Sequence, residues 1–391
     1  MATNNNDKTL NVPPLRFPEF TEEWLHCTLG DITTNFNLRN KNEVEYPMYS
    51  VTNNRGFIPQ SEQFEDREML GEDIKAYKII HKDDFAYNPA RINVGSIAKY
   101  DGEQPCMISS LYVCFKTNPQ IYNDWMAQLL KTPKMNYYYN TNGEGGVRIY
   151  LFYPNFARIR TSYPATLSEQ KKIAHFLTLL DERIATQNKI IEDLKKLKSA
   201  IVDKLYSSTN GKTYSFCQLF KVVNEKNKKL AYKNVLSASQ ELGMIERSDI
   251  NIDIKFEQES ISGYKIVRKG DYVVHLRSFQ GGFAFSDTTG ICSPAYTILR
   301  PNNLVVYGYL SHFFTSKPFI KSLKLVTYGI RDGRSINVNE WLDMPILLPS
   351  PQEQMRILAI VNAIDAKLHN EAKVQFCLSS QKSYLLNTMF I

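Results

Sequence analysis

The chain contains the residue types that catalysis needs, but they do not occur at catalytic spacing. Its six histidines are scattered and form no HExxH pair, and no glycine-rich fingerprint follows a strand-like run. Gly211-Lys212-Thr213 matches the end of a phosphate-binding loop, yet the position that should hold the first glycine is Tyr206. Asn88-Pro89-Ala90-Arg91 differs from the Asn-Pro-Pro-aromatic motif of amino methyltransferases, because it lacks the second proline and the aromatic residue that would stack on a flipped base. We therefore expect no catalysis by this chain.

Polar and basic residues gather instead between strand-like runs, at corresponding places in the two halves of the chain. Arg, Asn and Gln can make bidentate contacts to guanine or adenine edges in the major groove, and Ser suits phosphates. The candidates for DNA contact are Asn53, Asn54, Arg55, Asn88, Arg91, Asn93, Ser96, Asn142 and Arg148 in the first half, and Ser239, Gln240, Arg247, His275, Arg277, Ser278, Gln280, Arg331 and Arg334 in the second. Arg91 and Arg277 stand out because each follows a matched block of sequence and precedes a glycine turn. The alternative for any one candidate is an ordinary solvated loop, since loops are rich in the same residues.

The chain repeats itself. Tyr77 to Phe85 (YKIIHKDDF) matches Tyr264 to Tyr272 (YKIVRKGDY) at an offset of 187, and Glu169-Gln170 matches Glu353-Gln354 at an offset of 184. Gly56-Phe57-Ile58 lines up in the same way with Gly243-Met244-Ile245, and Tyr112 lines up with Tyr296. Such similar offsets leave room for few net insertions. The sequence therefore predicts the order globular domain, helix, globular domain, helix.

Two long helices should connect and follow the globular domains. Thr166 with Glu169, and Ser350 with Glu353, have the spacing of a capping box, and Pro351 suits the first helical turn. Heptad spacing continues from each start, with apolar and some polar seam positions at Leu177, Leu180, Ile184, Gln187, Ile191, Leu194, Lys198, Ile201 and Leu205, and at Val361, Ile364, Leu368, Glu371, Gln375, Leu378, Lys382, Leu385 and Met389. A helix of about 40 residues spans roughly 60 Å, too long to be buried in one small domain. Because a whole domain separates the two helices, we expect them to pair as an antiparallel coiled coil.

Composition sets the class of protein. The 391 residues are 43% hydrophobic and 12% aromatic, enough to build at least two cores. The longest apolar runs are too short to cross a bilayer, and the polar start lacks the apolar core of a signal peptide, so we expect a cytoplasmic protein with no membrane partner. Six cysteines without a CxxC pair predict buried free thiols and no metal site. A net charge of +7 and a pI of about 8.8 permit a polyanionic partner.

The fold class that follows is α+β, with two strand-rich mixed α/β domains related by a pseudo-twofold repeat and joined by the two paired helices. The expected boundaries are an N-terminal arm over 1–21, a first head over 22–164, a spacer helix over 165–210, a second head over 211–348 and a second spacer helix over 349–391. Within the first head we expect a helix over 124–130, and Asn210-Gly211 is the expected helix C-cap.

This layout resembles the specificity subunit of type I restriction-modification systems over essentially the whole chain. The resemblance lies in Trp24 to Ile32, with its Leu-Gly-Asp-Ile run, in the Tyr-Lys-Ile-x-x-x-Asp blocks, in the two Glu-Gln helix openings and in the two long helices. One departure is the polar seam of the second helix at Glu371 and Gln375. The resemblance implies two target-recognition domains, each reading one half of a split, asymmetric DNA target, with the helices setting the gap.

The resemblance also implies partners and cofactors. Two modification subunits would bring S-adenosylmethionine, and restriction subunits would bring ATP and Mg, so no cofactor is expected in this chain. Double-stranded DNA would be the shared ligand. The main alternative is a coiled-coil scaffold with two protein-binding heads, and a weaker alternative is an enzyme fused to its own recognition unit. Steeply salt-dependent binding to random duplex DNA would favour the specificity-subunit interpretation over the scaffold.

Overall fold

The structure is a computed structural model that describes residues 10–63, 74–146, 148–239, 242–249, 258–275, 282–328 and 335–391. The chain divides into two compact units, the first made of residues 1–187 with 374–391 and the second of residues 188–373. Each unit holds one head and one segment of each long helix. No helix in the described ranges has the length and apolar character to cross a membrane.

In its described residues, the first unit is built from ten short strands, five short helices and a segment of each long helix. The strands are β1 Leu25–Thr28, β2 Thr33–Phe36, β3 Tyr49–Thr52, β4 Gly56–Pro59, β5 Lys78–Ile80, β6 Phe85–Tyr87, β7 Ile97–Lys99, β8 Cys106–Ile108, β9 Val113–Thr117 and β10 Arg160–Tyr163. The helices are α1 Leu29–Ile32, α2 Gln60–Gln63, α3 Asn123–Leu129, α4 Pro133–Asn142, α5 Tyr153–Ala157 and the start of α6 Leu167–Ser207. Helix α3 confirms the helix expected over 124–130.

The second unit follows the same plan. Its strands are β11 Lys212–Ser215, β12 Phe220–Val223, β13 Leu236–Ser239, β14 Gly243–Glu246, β15 Lys265–Val267, β16 Tyr272–Val274, β17 Phe283–Phe285, β18 Gly290–Cys292, β19 Thr297–Pro301, β20 Thr327–Tyr328, β21 Ser335–Ile336 and β22 Pro345–Leu348. Its helices are α7 Phe216–Leu219, α8 Tyr309–Phe313, α9 Lys317–Ser322, α10 Val338–Leu342 and most of α11 Pro351–Thr388.

Strand pairing confirms the duplication. The first head has a four-stranded antiparallel sheet in the order β2-β9-β6-β7, and the second has β12-β19-β16-β17. The smaller pairs match as well: β1-β10 with β11-β22, β3-β4 with β13-β14, and β5-β8 with β15-β18. The two matched sequence blocks occupy the same place, because each supplies the strand and turn that lead into a central strand, β6 or β16.

Each four-stranded sheet has a core on both of its faces, because neighbouring residues of a strand point to opposite sides. On β6, Phe85 and Tyr87 join the core that faces the helices, whereas Ala86 joins the core beneath the small hairpins. On β16, Tyr272 and Val274 face the helices in the same way, and Val273 faces the hairpins.

Hydrogen bonds explain why the two matched blocks have the same residue spacing. Asp84 accepts from the backbone N–H of His81 at 2.9 Å, and Asp271 accepts from that of Arg268 at 2.9 Å, so each aspartate closes the turn before its central strand. The block lysines are equally engaged, since Lys78 donates to the carbonyl of Tyr112 at 2.6 Å. The equivalent pair in the second head is Lys265 with Tyr296 at 2.7 Å. These positions therefore maintain the fold.

The long helices begin where the sequence predicts. The N–H of Glu169 donates to the Thr166 hydroxyl at 3.3 Å, and that of Glu353 donates to the Ser350 hydroxyl at 3.3 Å. The carboxylates, however, do not return the bond as a capping box would. Glu169 accepts instead from Arg16 at 2.7 Å, and Glu353 accepts from Arg356 at 2.6 Å.

The glutamine that follows each glutamate anchors its helix to the head. Gln170 is fully buried; its Oε1 accepts from the N–H of Tyr122 at 2.7 Å, and its Nε2 donates to the carbonyls of Gln120 and Pro164, each at 3.0 Å. Gln354 makes the same set of bonds, with Val306 at 2.8 Å, Leu304 at 2.9 Å and Pro349 at 3.0 Å. The Glu-Gln dipeptide is thus a joint between loop and helix.

The helices pair antiparallel within each unit. In the first unit, Leu177 near the start of α6 packs in one core with Leu385 and Met389 near the end of α11. In the second unit, Leu205 near the end of α6 packs in one core with Ile357 near the start of α11. All the expected seam positions are buried or half-buried, including the polar ones, which confirms the heptad pattern.

Polar contacts cross the helix pair at equivalent places. Asp181 accepts from the Gln128 amide at 3.1 Å and forms an ion pair with Lys382. In the second unit Asp365 lies 2.5 Å from the ammonium of Lys198 and 3.7 Å from Nε2 of His312. An offset of 184 relates the residues of the two sets, with His312 in place of Gln128.

The N-terminal arm closes the first unit. The N–H of Leu15 donates to the carbonyl of Thr388 at 3.0 Å, and the guanidinium of Arg16 makes a two-pronged ion pair with buried Glu169. Trp24 adds a bond from its indole N–H to the same carboxylate at 3.1 Å. The hydrogen bond between Arg16 and Glu169 raises the pKa of the Arg16 guanidinium.

Besides the capping boxes, two further sequence expectations were wrong. Helix α6 ends at Ser207, and Gly211 is not its C-cap but leads into β11, where a side chain would lie 2.2 Å from the carbonyl oxygen of Leu348. The six cysteines are all free, but Cys217 and Cys377 are exposed and Cys27 is half-buried. For the buried thiols, Cys106, Cys114 and Cys292, burial raises the pKa to about 12, so they stay protonated at neutral pH.

Candidate nucleic-acid interface

The loop after β6 presents Arg91 to solvent. Asn88 shapes this loop, because its side-chain oxygen accepts from the N–H of Ala90 at 3.0 Å and its carbonyl accepts from the N–H of Arg91 at 3.0 Å. Arg91 is exposed and forms no ion pair with any described residue. The buried carboxylate of Asp84, seven residues earlier in the sequence, lies 3.5 Å from Lys116. The Arg91 guanidinium is thus available to a ligand.

The hairpin turn between β3 and β4 lies against this loop. Gly95 has φ +99°, and a side chain there would lie 2.6 Å from the carbonyl oxygen of Asn53, so the close approach requires glycine. Within the turn, the Thr52 hydroxyl accepts from the N–H of Arg55 at 3.1 Å. Asn53, Asn54 and Arg55 are all exposed, and Arg55 lies 3.0 Å from Glu62 in a surface ion pair.

Helix α4 and the loop that follows it also contact the Arg91 loop. Asn93 donates to the side-chain oxygen of Asn140 at 3.0 Å, and the N–H of Leu151 donates to the carbonyl of Pro89 at 3.0 Å. Arg148 is exposed on this loop. Asn140 was not among the sequence candidates, and no spacing or motif marks it; only the fold brings it to Asn93.

The first head therefore brings three polar segments together, but not all nine candidates face solvent. Ser96 is 1% exposed, and its hydroxyl donates to the carbonyl of Val51 at 2.7 Å. Asn142 is half-buried and donates to the carbonyl of Tyr138 at 2.9 Å on its own helix. These two side chains hold the scaffold. The solvent-facing set is Asn53, Asn54, Arg55, Arg91 and Arg148, with Asn88 and Asn93 half-buried behind it.

In the second head three candidates are described. The Ser239 hydroxyl accepts from the N–H of Leu242 at 3.2 Å, and the Nε of Arg247 donates to the hydroxyl of Ser237 at 3.3 Å. His275, at the end of β16, has its ring 5.1 Å from that of Tyr296. Gln240, Arg277, Ser278, Gln280, Arg331 and Arg334 lie outside the described residues.

The second hairpin is seated like the first. Gly243 has φ +74°, and a side chain there would lie 2.5 Å from the carbonyl oxygen of Phe285 on β17. The described ranges contain no group of three or more His, Cys, Asp or Glu side chains that could hold a metal ion. What the described residues of both heads offer is hydrogen-bonding side chains beside hairpins that pack closely on the head.

Solved structures share this arrangement along its full length. The S subunit of a type I restriction-modification system from M. genitalium is 13% identical, and the match covers 97% of this chain and 99% of that one with a TM-score of 0.55. A chain from a structure addressing the complex assembly and conformational transition of the type I R-M system is also 13% identical, covering 96% and 98% with a TM-score of 0.60. The chain has the fold of a type I restriction-modification specificity subunit. No family model and no curated protein matches the sequence. At this identity the likeness shows the specificity-subunit fold, and function has to be argued from the loops.

Proposed function

We propose that this protein is the DNA-specificity subunit of a type I restriction-modification complex and is not itself an enzyme. The observation that carries the proposal is the match of the specificity-subunit fold over both heads and both helices, at 96% of the chain or more. The loop chemistry supports it. Exposed Asn and Arg side chains, among them Arg91 and Arg148, which form no ion pair with a described residue, are suited to base edges and phosphates.

Each head reads one half of a split DNA target. The two halves of the target differ, because the equivalent loops differ: Asn88-Pro89-Ala90-Arg91 in the first head corresponds to His275-Leu276-Arg277 in the second. Side chains with different donors and acceptors select different bases. An asymmetric target follows, in contrast to the palindrome that two identical heads would read.

The paired helices set the gap between the half-sites and dock the partner subunits. Two modification subunits would carry S-adenosylmethionine, and restriction subunits would carry ATP and Mg, so that this chain contributes recognition in the cytoplasm and no cofactor chemistry. Inserting seven residues after Asp193, with the equivalent insertion in α11, should lengthen the recognised gap and preserve both half-sequences. An unchanged gap would remove the helices from that role.

The decisive experiment maps methylated adenines genome-wide in the host with and without this gene. The expected result is the loss of one split, asymmetric methylated sequence when the gene is deleted. A methylome that is unchanged, in a strain whose modification subunit is expressed, would reject the proposal and favour a scaffold with protein-binding heads. Restoring the gene on a plasmid should restore the same sequence, which controls for secondary mutations.

A further inference from the structure

Positive charge is distributed unequally between the two units. Residues 188–373 hold 26 Lys and Arg against 18 Asp and Glu, a formal charge of +8, whereas the rest of the chain holds 21 against 22 and sums to −1. The whole excess of the protein, +7, therefore lies in the second unit. A repeat that preserves its fold so closely has no structural need for such a difference.

Half of that charge lies on one short segment. Residues 221–233, here called the lysine segment, run from β12 toward β13 and carry Lys221, Lys226, Lys228, Lys229 and Lys233 with a single acidic residue, Glu225. All five lysines are exposed, and none forms an ion pair with a described residue. Glu225 is occupied by Arg268, whose guanidinium lies 3.0 Å away.

The equivalent segment of the first head, residues 34–46, has the same anchoring but no net charge. Each segment is held by a buried asparagine: Asn227 donates to the carbonyl of Tyr232 at 2.8 Å, and Asn40 donates to that of Val44 at 2.8 Å. In the first head, Arg39 and Lys41 are balanced by Glu43 and Glu45. The difference therefore lies in the side chains.

The backbone turns in the same unusual way in both segments. Leu230 has φ 51°, and its equivalent Glu43 has φ 52°. Such a conformation is uncommon for residues other than glycine. Exchanging charges between the two segments should therefore leave either turn intact.

We propose that the lysine segment binds phosphates of duplex DNA beside the half-site read by the second head, and that the first head has no matching contact. The inference rests on the proposed function and adds an asymmetry to it. Five exposed ammonium groups on 13 residues, none of them in an ion pair with a described residue, make a strong local attraction for a polyanion.

The segment is also placed for such a contact. It ends just before β13, whose other end carries Ser239 in the candidate hairpin turn. Four strand residues span about 13 Å, which corresponds to roughly four phosphates along one DNA strand. Phosphates outside the bases met by the turn are therefore within its reach.

Paired variants test the inference on the full chain. Lys226→Gln with Lys228→Gln is compared with Arg39→Gln plus Lys41→Gln, the same two positions in the first head. Binding to a random-sequence DNA duplex is measured between ~50 and ~200 mM salt. The first pair should reduce the slope of log K against log salt by about 1.8, because each lost phosphate contact contributes about 0.9. The second pair should leave the slope unchanged, and Lys226→Arg with Lys228→Arg should keep the wild-type value.

The outcomes separate the inference from the proposed function. An unchanged slope in the Lys226 and Lys228 pair, with wild-type protein binding the duplex, overturns the inference alone. Equal losses in the two pairs overturn the asymmetry. Binding to a single-stranded RNA of the same length is measured as well. If the Lys226 and Lys228 pair weakens RNA binding and leaves duplex binding unchanged, the segment binds RNA and the inference is overturned. Wild-type protein that fails to bind duplex DNA at any salt concentration overturns the proposed function itself.

Discussion

Arg91 and Ser96 stand five residues apart on one loop and have opposite environments. The Arg91 side chain is exposed and forms no ion pair with a residue that the structure describes, whereas the Ser96 hydroxyl is buried against the carbonyl of Val51. In a linear sequence the two look equally suited to DNA. The Gly95 turn separates them, because it directs the chain back into the head. Residue type thus predicts which loop can contact DNA, and the fold determines which side chains of that loop face solvent.

Replacing Arg91 with alanine should weaken DNA binding and leave the head folded. Because the side chain is exposed, we expect the free energy of unfolding to change by less than about 0.5 kcal/mol. A contact to guanine would cost about 1–3 kcal/mol and relax one base position, whereas a contact to phosphate would lower affinity evenly and reduce the salt slope by about one. Titrations against cognate and single-mismatch duplexes, with modification subunits present, distinguish these cases. Wild-type affinity and selectivity in the variant would exclude Arg91 from the interface.

Replacing Gln354 with leucine should destabilise the second unit by about 3 kcal/mol. The change leaves the N–H of Val306 and the carbonyls of Leu304 and Pro349 without their partner in a buried site, and each such group costs about 1–3 kcal/mol before relaxation. Denaturant unfolding measures the effect. Gln352→Leu, an exposed position on the same helix, is the control and should change little. Equal stability of the two variants would contradict the role of Gln354 as a joint.

At the scale of elements, one polar position differs between the equivalent helix crossings. In the second unit His312 lies beside Asp365, which also pairs with Lys198. In the first unit the position equivalent to His312 is Gln128. Burial, followed by the charge of Lys198, lowers the pKa of His312, while Asp365 and a hydrogen bond with Asn362 oppose the shift. The folded protein therefore binds this proton less readily than the unfolded chain does.

The second unit should accordingly lose stability as pH falls below about 6.5, where the unfolded histidine takes up a proton that the folded one resists. At higher pH both states are neutral at this residue and the penalty vanishes. His312→Gln, which installs the residue of the first unit, should reduce the drop in thermal midpoint between neutral and mildly acidic pH. His369→Gln, on an exposed position of α11, serves as the control. A variant that loses as much stability in acid as the wild type would contradict this account.

Elements whose signals are local could be predicted from the sequence. Both long helices and their starts followed from hydroxyl caps and heptad spacing, and the repeat followed from offsets alone. The exit of α6 could not be predicted, because Gly211 serves a contact with Leu348, which lies far away in sequence. The carboxylate of Glu169 was misassigned to a capping box for the same reason, since its partner Arg16 lies on the N-terminal arm. Tertiary partners decided each of these positions.

At the scale of the whole molecule, the two units differ in how the chain builds them. The second unit is one continuous stretch, residues 188–373, and holds its own core and its own segment of each long helix. The first unit needs residues 374–391 as well, and these supply Leu385, Leu386, Met389 and Phe390 to its core. Phe390 contacts the rings of both Trp24 and Trp125.

A fragment of residues 188–373 should therefore fold alone, with a cooperative thermal transition by circular dichroism. A fragment of residues 1–187 should expose apolar surface and unfold at a lower temperature than the 188–373 fragment. It lacks the leucine and phenylalanine side chains of residues 374–391, and each such side chain contributes about 1.5–3 kcal/mol when buried. Adding a peptide of residues 374–391 should restore its stability. A peptide with Leu385, Met389 and Phe390 replaced by serine is the control. Independent folding of 1–187 without the peptide would show that the last helical turns are dispensable.

The bond between Leu15 and the carbonyl of Thr388 has a consequence for the newly synthesised chain. The first head needs residues 374–391 as packing partners, so it cannot be completed before these residues have been synthesised. The second unit, although synthesised later, has all its residues once position 373 has been added. Until residues 374–391 follow, α6 at Ile173 and Leu177 lacks the cover of Leu385, Met389 and Phe390 and exposes apolar surface to chaperones. Maturation thus runs opposite to the direction of synthesis.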